Sequence, residues 1–272
     1  MDHSADHGYS AGMTDTEVAD WWGTAVSRIE PDHIELRGIP VRDLIATTGF
    51  GAVIWLMLRG SRPTGAQARL LEAALVAGVD HGPHAPSIAV ARITATCGVG
   101  INNAMASAIN TLGDSHGGAG QECVELLEEI VARSTVPVET AAAEVVAQWR
   151  ARGVRYLPGF GHRFHTRDPR RDPLLALVDE AAAAGTVSGV FARAARAVET
   201  VLNRGRTTPV PMNVDGATAV VYAELGFPAP LARGLFVLSR SVGVLAHAWE
   251  EMGQGRRNKG PIPPAVRPTY LG

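Results

Sequence analysis

Apolar residues recur at helical spacing through most of this chain, and almost nowhere do they alternate as a half-buried strand requires. Thr64-Gly65-Ala66-Gln67 has the form of a capping box, followed at helical spacing by Leu70, Leu71, Leu75 and Val76. Asp172-Pro173 offers a cap residue and a proline suited to a first helical turn. Leu174, Leu175 and Val178 continue that pattern to a stop at Gly185. Pro137 to Arg152 predicts a further helix, with Val145, Val146 and Trp149 on one face and Gly153 at its end. The longest pattern covers residues 230–252, with Leu235, Leu238, Val242, Leu245 and Trp249 along a stripe. Residues 87–110 predict one or two buried helices, whose many alanines and glycines permit close helix–helix contact. Extended signal is confined to Ile34–Leu36 and its neighbours, enough for a short hairpin. The expected fold class is mainly α.

Composition narrows the classes of function. A chain of 272 residues can bury one or two cores. No run of 18 or more uncharged apolar residues is present, so no membrane partner is expected. The net charge of −2 gives no reason to expect nucleic acid. Residues 1–13 are polar, lack the basic start and apolar centre of a signal peptide, and are expected to form a disordered tail. Cys97 and Cys123 do not form a CxxC pair. Reduced buried thiols in a cytoplasmic protein are the plain expectation, with a disulfide or a catalytic thiol as alternatives.

Chemistry concentrates in a few short segments. Leu157-Pro158-Gly159-Phe160-Gly161-His162-Arg163-Phe164 sets a histidine behind two glycines, where backbone can approach a ligand closely. Arg163, Arg167, Arg170 and Arg171 crowd the following positions, which suits an anion. His116-Gly117-Gly118-Ala119 places an imidazole at a glycine-rich helix junction. It is either an exposed histidine or a donor for a developing enolate oxygen. Asp215 is either a helix N-cap or a partly desolvated base of raised pKa. Asp80-His81-Gly82-Pro83-His84 is a turn, an anion-binding helix end, or, with no further ligand cluster visible, a weak metal site. Arg240, inside an apolar helix, must pair with a core carboxylate or reach a ligand cleft. His247 on the same helix is expected to be a satisfied core histidine. Arg256-Arg257-Asn258-Lys259 is a solvated charge run or a phosphate contact. Two imidazoles and a carboxylate make an acid/base set suited to carbon–carbon bond chemistry.

Taken in order, these segments resemble the citrate synthase superfamily from Ile29 to Gly272. The likeness rests on Arg37-Gly38-Ile39-Pro40-Val41-Arg42-Asp43-Leu44, Asp80-His81, His116-Gly117-Gly118-Ala119 and Gly159-Phe160-Gly161-His162-Arg163. It continues through Asn213-Val214-Asp215, Ser239-Arg240-Ser241-Val242-Gly243 and Arg267-Pro268. Val79-Asp80-His81-Gly82-Pro83, Leu112-Gly113-Asp114 and Gly234-Leu235-Phe236-Val237-Leu238-Ser239-Arg240-Ser241 are closer to citryl-CoA lyases, including the lyase module of ATP-citrate lyase.

The resemblance implies roles. Asp215 would exchange a proton with the acetyl methyl carbon, His116 would stabilise the enol, and His162 would serve the oxygen that becomes the citryl hydroxyl. His81, Arg163, Arg170, Arg240 and Arg267 would hold substrate carboxylates, Arg267 from across a homodimer interface. Coenzyme A would lie along Gly159, Phe160, Gly161 and Arg167. It would be part of the substrate, with no permanently bound cofactor and no metal. Citryl-CoA, acetyl-CoA and oxaloacetate are the implied partners. Citryl-CoA cleavage is the implied activity, with citrate or 2-methylcitrate synthesis, or a non-catalytic CoA-ligand binder, as alternatives.

Two departures stand out. Counting from His162 selects Arg171 where the Asp-Pro-Arg motif selects Arg170. The lyase module of ATP-citrate lyase has phenylalanine at the position of His116. The implied fold is citrate synthase-like. Residues 14–117 and 216–272 would form a large helical domain, and residues 118–215 a smaller one that hinges over the ligand.

Overall fold

The computed structural model describes residues 13–163, 165–263 and 265–272. The expected tail, apart from Met13, lies outside the described residues. The fold is mainly helical, as expected, and the chain divides into two compact units that meet in sequence between Pro63 and Thr64.

The first unit begins with α1 (Asp15–Trp21), started by a Thr14/Glu17 capping box. The weak extended signal becomes a three-stranded antiparallel meander: β1 (Ser27–Glu30), β2 (His33–Leu36) and β3 (Ile39–Pro40). Ile29 faces Ile34 and Leu36 faces Ile39 across it. Helices α2 (Val41–Thr47) and α3 (Phe50–Arg59) follow. Arg37 donates from Nε and Nη2 to the Met57 carbonyl at 3.0 and 2.7 Å, which fastens the meander to the end of α3.

The second unit holds α4 (Gly65–Gly78), α5 (Pro86–Ala95), α6 (Ile101–Ile109), α7 (Ala119–Val131) and α8 (Val138–Ala151). It continues with α9 (Arg171–Ala183), α10 (Val190–Asn203), α11 (Val214–Glu224) and α12 (Ala229–Gly253). The capping box at Thr64 and Gln67 forms as the sequence predicts. Val145, Val146 and Trp149 are the buried face of α8. Helix α11 is buried nearly all round and packs against α4, α7, α9 and α10, which makes it the axis of the unit. Its first turn therefore lies deep in the molecule.

Three local expectations are corrected. Helix α9 starts at Arg171, with Arg170 in the cap position, because the Asp168 carboxylate organises that turn; Asp172 lies inside the first turn. Cys97 is exposed, and only Cys123 is buried. In α12, Leu235 is buried, but Leu238, Val242, Leu245 and Trp249 face outward. Its inward face uses small or bonded residues (Ala232, Ser239, Arg240, Gly243, Ala248) against α4 to α7. Small residues win that face because neighbouring backbone comes close: a methyl on Gly243 would overlap the Val79 carbonyl. By length and composition alone α12 could cross a membrane, at 25 residues and a mean hydropathy of 1.3 over an 18-residue window. Buried Arg240 and Glu251 and the packing of its inward face mark it as a core helix of this unit.

Candidate active site

The loop before α9 and the start of α11 are welded together by glycine. Gly159 has φ +81, and a β-carbon there would lie 2.6 Å from Cys123 Sγ and 2.8 Å from Gly216 Cα. Gly161 N donates to the Pro211 carbonyl at 2.6 Å, and Asn213 N donates to the Gly159 carbonyl at 3.0 Å. Asn213 is the N-cap of α11, accepting from the amides of Asp215 and Gly216 through Oδ1, while its Nδ2 donates to the Gly161 carbonyl at 2.9 Å. The cap alternative for Asp215 is thereby excluded. Asp215 is the second residue of the helix, and its carboxyl faces a pocket.

That inner pocket has a volume of about 230 Å³. His81, His116, His162, Arg163, Arg170, Asp215 and Arg240 all line it, with Phe236 and Gly161. Of the residues singled out from sequence, both histidines and the carboxylate of the acid/base set thus meet, along with four of the five groups expected to hold carboxylates. Arg171 points away, paired with Asp172 and Glu199. Arg167 pairs with Asp172 at 2.6 Å on the exposed side. Arg267 lies in the exposed C-terminal stretch and lines no described cavity.

Several of these groups are held by specific partners. Ser87 donates to His116 Nε2 from its amide at 3.1 Å, and its Oγ stands 3.0 Å from the same nitrogen. Because a backbone amide can only donate, neutral His116 carries its proton on Nδ1. His162 accepts at Nδ1 from the His165 amide at 3.0 Å, so its neutral form carries the proton on Nε2. The His81 and His162 rings stand edge-on with centroids 5.7 Å apart. Arg240, 4% exposed, donates from Nε to the Gly78 carbonyl at 3.1 Å and lies 4.9 Å over the Phe236 ring. Among the described residues it pairs with no carboxylate at bonding distance, and it lines the inner pocket, one of the two expected outcomes. His247 is satisfied as expected: Arg92 donates to Nδ1 at 3.0 Å, and Nε2 stands 3.3 Å from Asp80.

Sequence reasoning missed Ser87 and Asp168. Asp168 is fully buried and accepts from Arg170 N, Nε and Nη2 and from Val214 N, all between 2.9 and 3.0 Å. Its Asp-Pro-Arg setting was the available signal. Ser87 had none, as one serine at the head of an apolar helix.

The electrostatics favour neutral imidazoles beside a reluctant carboxylate. Burial, then Arg240, lowers the pKa of His116. Burial, then Arg170 and Arg240, lowers that of His81; burial and His165 lower that of His162. Burial raises the Asp215 pKa; Asp168 adds to that rise, while Arg240 and Arg170 oppose it. A carboxyl moved toward neutrality next to two neutral imidazoles is an arrangement for proton transfer near neutral pH.

A second, larger cavity of about 970 Å³ adjoins the first and shares Gly161, His162 and Arg163 with it. Phe160 and Leu157 line its floor, and Arg150, Arg155 and Arg206 line it with Tyr156. Among the described lining residues there is no carboxylate. The arrangement suits a long anionic ligand whose reacting end enters the inner pocket.

Residues 57–269 match the family described as Citrate synthase, C-terminal domain. A citrate synthase from Acidithiobacillus ferridurans is 32% identical over 206 residues, covering 74% of this chain and 51% of that protein. The chain spans about half or less of the length of the curated relatives it matches. The structure of citryl-CoA lyase from Hydrogenobacter thermophilus superposes with a TM-score of 0.79 at 28% identity, covering 92% of this chain and 94% of that one. ATP citrate lyase from Methanothrix soehngenii, solved with citrate and coenzyme A, shares the fold with a TM-score of 0.76 at 21% identity, over 96% of this chain and 45% of that one. The chain belongs to the citrate synthase family.

Proposed function

We propose that this protein is a citryl-CoA lyase, cleaving citryl-CoA to acetyl-CoA and oxaloacetate. The observation that carries the reading is the convergence of His116, His162 and Asp215 on one small pocket with Arg163, Arg170, Arg240 and His81. Superposition on a citryl-CoA lyase along nearly the whole of both chains supports the choice within the family.

In cleavage, His162 takes the citryl hydroxyl proton on Nε2, which requires the ring to give up the His165 amide contact and carry its own proton on Nδ1 when substrate is bound. The carbon–carbon bond breaks, and its electron pair passes to the thioester oxygen, leaving oxaloacetate. His116, with its proton on Nδ1, donates to that oxygen. Asp215, biased toward its protonated form, delivers the proton to carbon and completes acetyl-CoA. The arginines and His81 hold the carboxylates in register. The pantetheine and nucleotide of coenzyme A would occupy the larger cavity beside Gly159, Phe160 and Gly161, with Arg150, Arg155 and Arg206 about its phosphates. Coenzyme A enters only as part of the substrate.

The pocket draws His162, Arg163, Arg170 and Asp215 from residues 118–215, and His81, His116 and Arg240 from outside them. We therefore assign residues 118–215 as the part that closes over the ligand. The outward stripe of Leu238, Val242, Leu245 and Trp249 on α12 is assigned to a homodimer contact, through which Arg267 would reach the partner's site.

A second reading, citrate or 2-methylcitrate synthesis, is favoured by His116 itself, fixed as a hydrogen-bond donor to an enol. The deciding experiment supplies citryl-CoA in one assay and acetyl-CoA with oxaloacetate in another. Cleavage of citryl-CoA without release of free coenzyme A from the second mixture supports the lyase. Rapid thiol release there would replace it with the synthase.

A further inference from the structure

Asp168 lines neither cavity, yet among the described residues it is the one buried carboxylate bonded to both Arg170 and the start of α11. Its Oδ1 accepts from Arg170 N and Nε at 3.0 and 2.9 Å. Its Oδ2 accepts from Arg170 Nη2 and from Val214 N, both at 2.9 Å. A guanidinium has five N–H donors. Asp168 takes the Nε/Nη2 edge and so leaves the Nη1/Nη2 end facing the pocket that Arg170 lines. Val214 is the first residue of α11, and Asp215 is the next. One carboxylate therefore sets the angle of the arginine and the depth of the helix turn that carries the proposed proton donor.

We propose that Asp168 is a positioning residue of this site: it aims the outer edge of Arg170 at a substrate carboxylate and pins the turn bearing Asp215. The inference rests on the reading of the pocket as a site of carbon–carbon chemistry on a carboxylate-bearing CoA ester. Burial acts against ionisation of Asp168, but the hydrogen bonds from Arg170 and Val214 outweigh it and hold its carboxyl below the ordinary carboxylate range. It thus stays charged. That charge faces Asp215 together with Arg170 from the same loop, Arg240 from α12, Cys123 from α7 and Tyr222 from α11 itself. His116, His81 and His162 complete the ring of titratable groups around the pocket. Neutralising Asp168 removes a negative neighbour from Asp215 and leaves Arg170 uncompensated beside it. Both changes ease ionisation of Asp215.

The test uses the full-length protein, first assayed unmodified with citryl-CoA and with acetyl-CoA plus oxaloacetate. No turnover in either assay would defeat the functional reading and leave nothing for Asp168 to position. Given turnover, D168N is expected to lower kcat/KM by about 100-fold, comparable to losing a charged hydrogen-bonded contact at a site. In citryl-CoA cleavage the alkaline limb of its pH profile, set by loss of the Asp215 proton, should move to lower pH. D168E, measured in parallel, keeps the charge but displaces the fork. It should raise KM for the carboxylate substrate about tenfold and leave the alkaline limb in place. A purely structural residue would lower the melting temperature and scale activity without moving that limb. Folded D168N with an unmoved alkaline limb overturns the proposal. So does D168E with an unchanged KM, whether or not D168N folds.

Discussion

The two adjoining cavities of the second unit are built on opposite principles. In the inner pocket four of the ionisable groups are already bound by the protein: His116 by Ser87, His162 by His165, Arg170 by Asp168, Arg240 by the Gly78 carbonyl. In the outer cavity Arg150, Arg155 and Arg206 are exposed on the rim, with Arg155 standing 5.2 Å over the Tyr156 ring. Groups that act on a transition state must be fixed before the substrate arrives, since reorganising them during reaction costs rate. Groups that gather a flexible anionic arm gain little from rigidity and are cheap to leave in water. The comparison makes a sharp demand. Changes in the inner pocket should strike kcat, and changes in the outer one should strike KM.

The largest expected effect is that of D215N. General acid–base catalysis contributes about 100- to 10,000-fold, so kcat should fall within that range while KM for acyl-CoA holds. The same substitution should raise the melting temperature. Burial raises the Asp215 pKa in the folded state, so its ionised form is disfavoured there and stability falls as pH rises from the ordinary carboxylate range up to that raised value, levelling off above it. Asparagine carries no such penalty. The gap between the two melting curves should widen toward neutral pH and close in acid, as scanning calorimetry across pH would show. A destabilised D215N would mean that the carboxylate is structural, and the contrast between the cavities would lose its main support.

Next in size is H116A, which removes the donor assigned to the enol oxygen. Losing one such donor typically costs roughly 100- to 1000-fold in kcat. Because Ser87 fixes the imidazole through its backbone amide, S87A should keep much of the activity, whereas H116A should not. Steady-state rates for the two variants side by side check this. Equal losses would show that His116 matters only as a support for the start of α5.

How far the sequence carried this site follows from where each signal resides. His116, His162 and Asp215 were legible because they lie in short ordered motifs, and Thr64 because a capping box is local. The α12 stripe was legible as a helix but not as a surface. Periodicity reports which residues share a face, not which face is covered, and close backbone approach at Gly243 favours the small residues inside. Asn213 as the cap of α11 was hidden because asparagine and aspartate two positions apart fit the same role. Nothing in the sequence singles out Arg150, Arg155 and Arg206. Only the folding of α8, the 153–163 segment and the 204–211 segment around one cavity gives them a common purpose.

The third prediction asks whether the inner pocket is complete in one chain. Arg267 lines neither cavity, while Leu238, Val242, Leu245 and Trp249 are exposed along α12. V242E places a charge in the middle of that stripe, where burial in an interface would be costly. It should yield monomers by light scattering and cut kcat/KM for the carboxylate substrate by about tenfold, the loss of one oriented arginine contact. Monomers with undiminished activity would mean that the inner pocket needs no second copy.

The smallest effects belong to the outer rim. R155A and R206A each remove an exposed cation, and an exposed ion pair is worth about 0.2–1 kcal/mol, which is at most roughly fivefold in binding. KM for the CoA ester should rise by that factor with kcat nearly unchanged, and the double variant should approach the product of the two. Salt separates this from a shape effect, because exposed charges are screened over about 10 Å at 0.1 M ionic strength. The penalty measured at low salt should therefore shrink as salt is added, while the defect of D215N should not. If R155A lowered kcat instead, or if its penalty ignored salt, the rim would be acting on the transition state and the division between the cavities would fail.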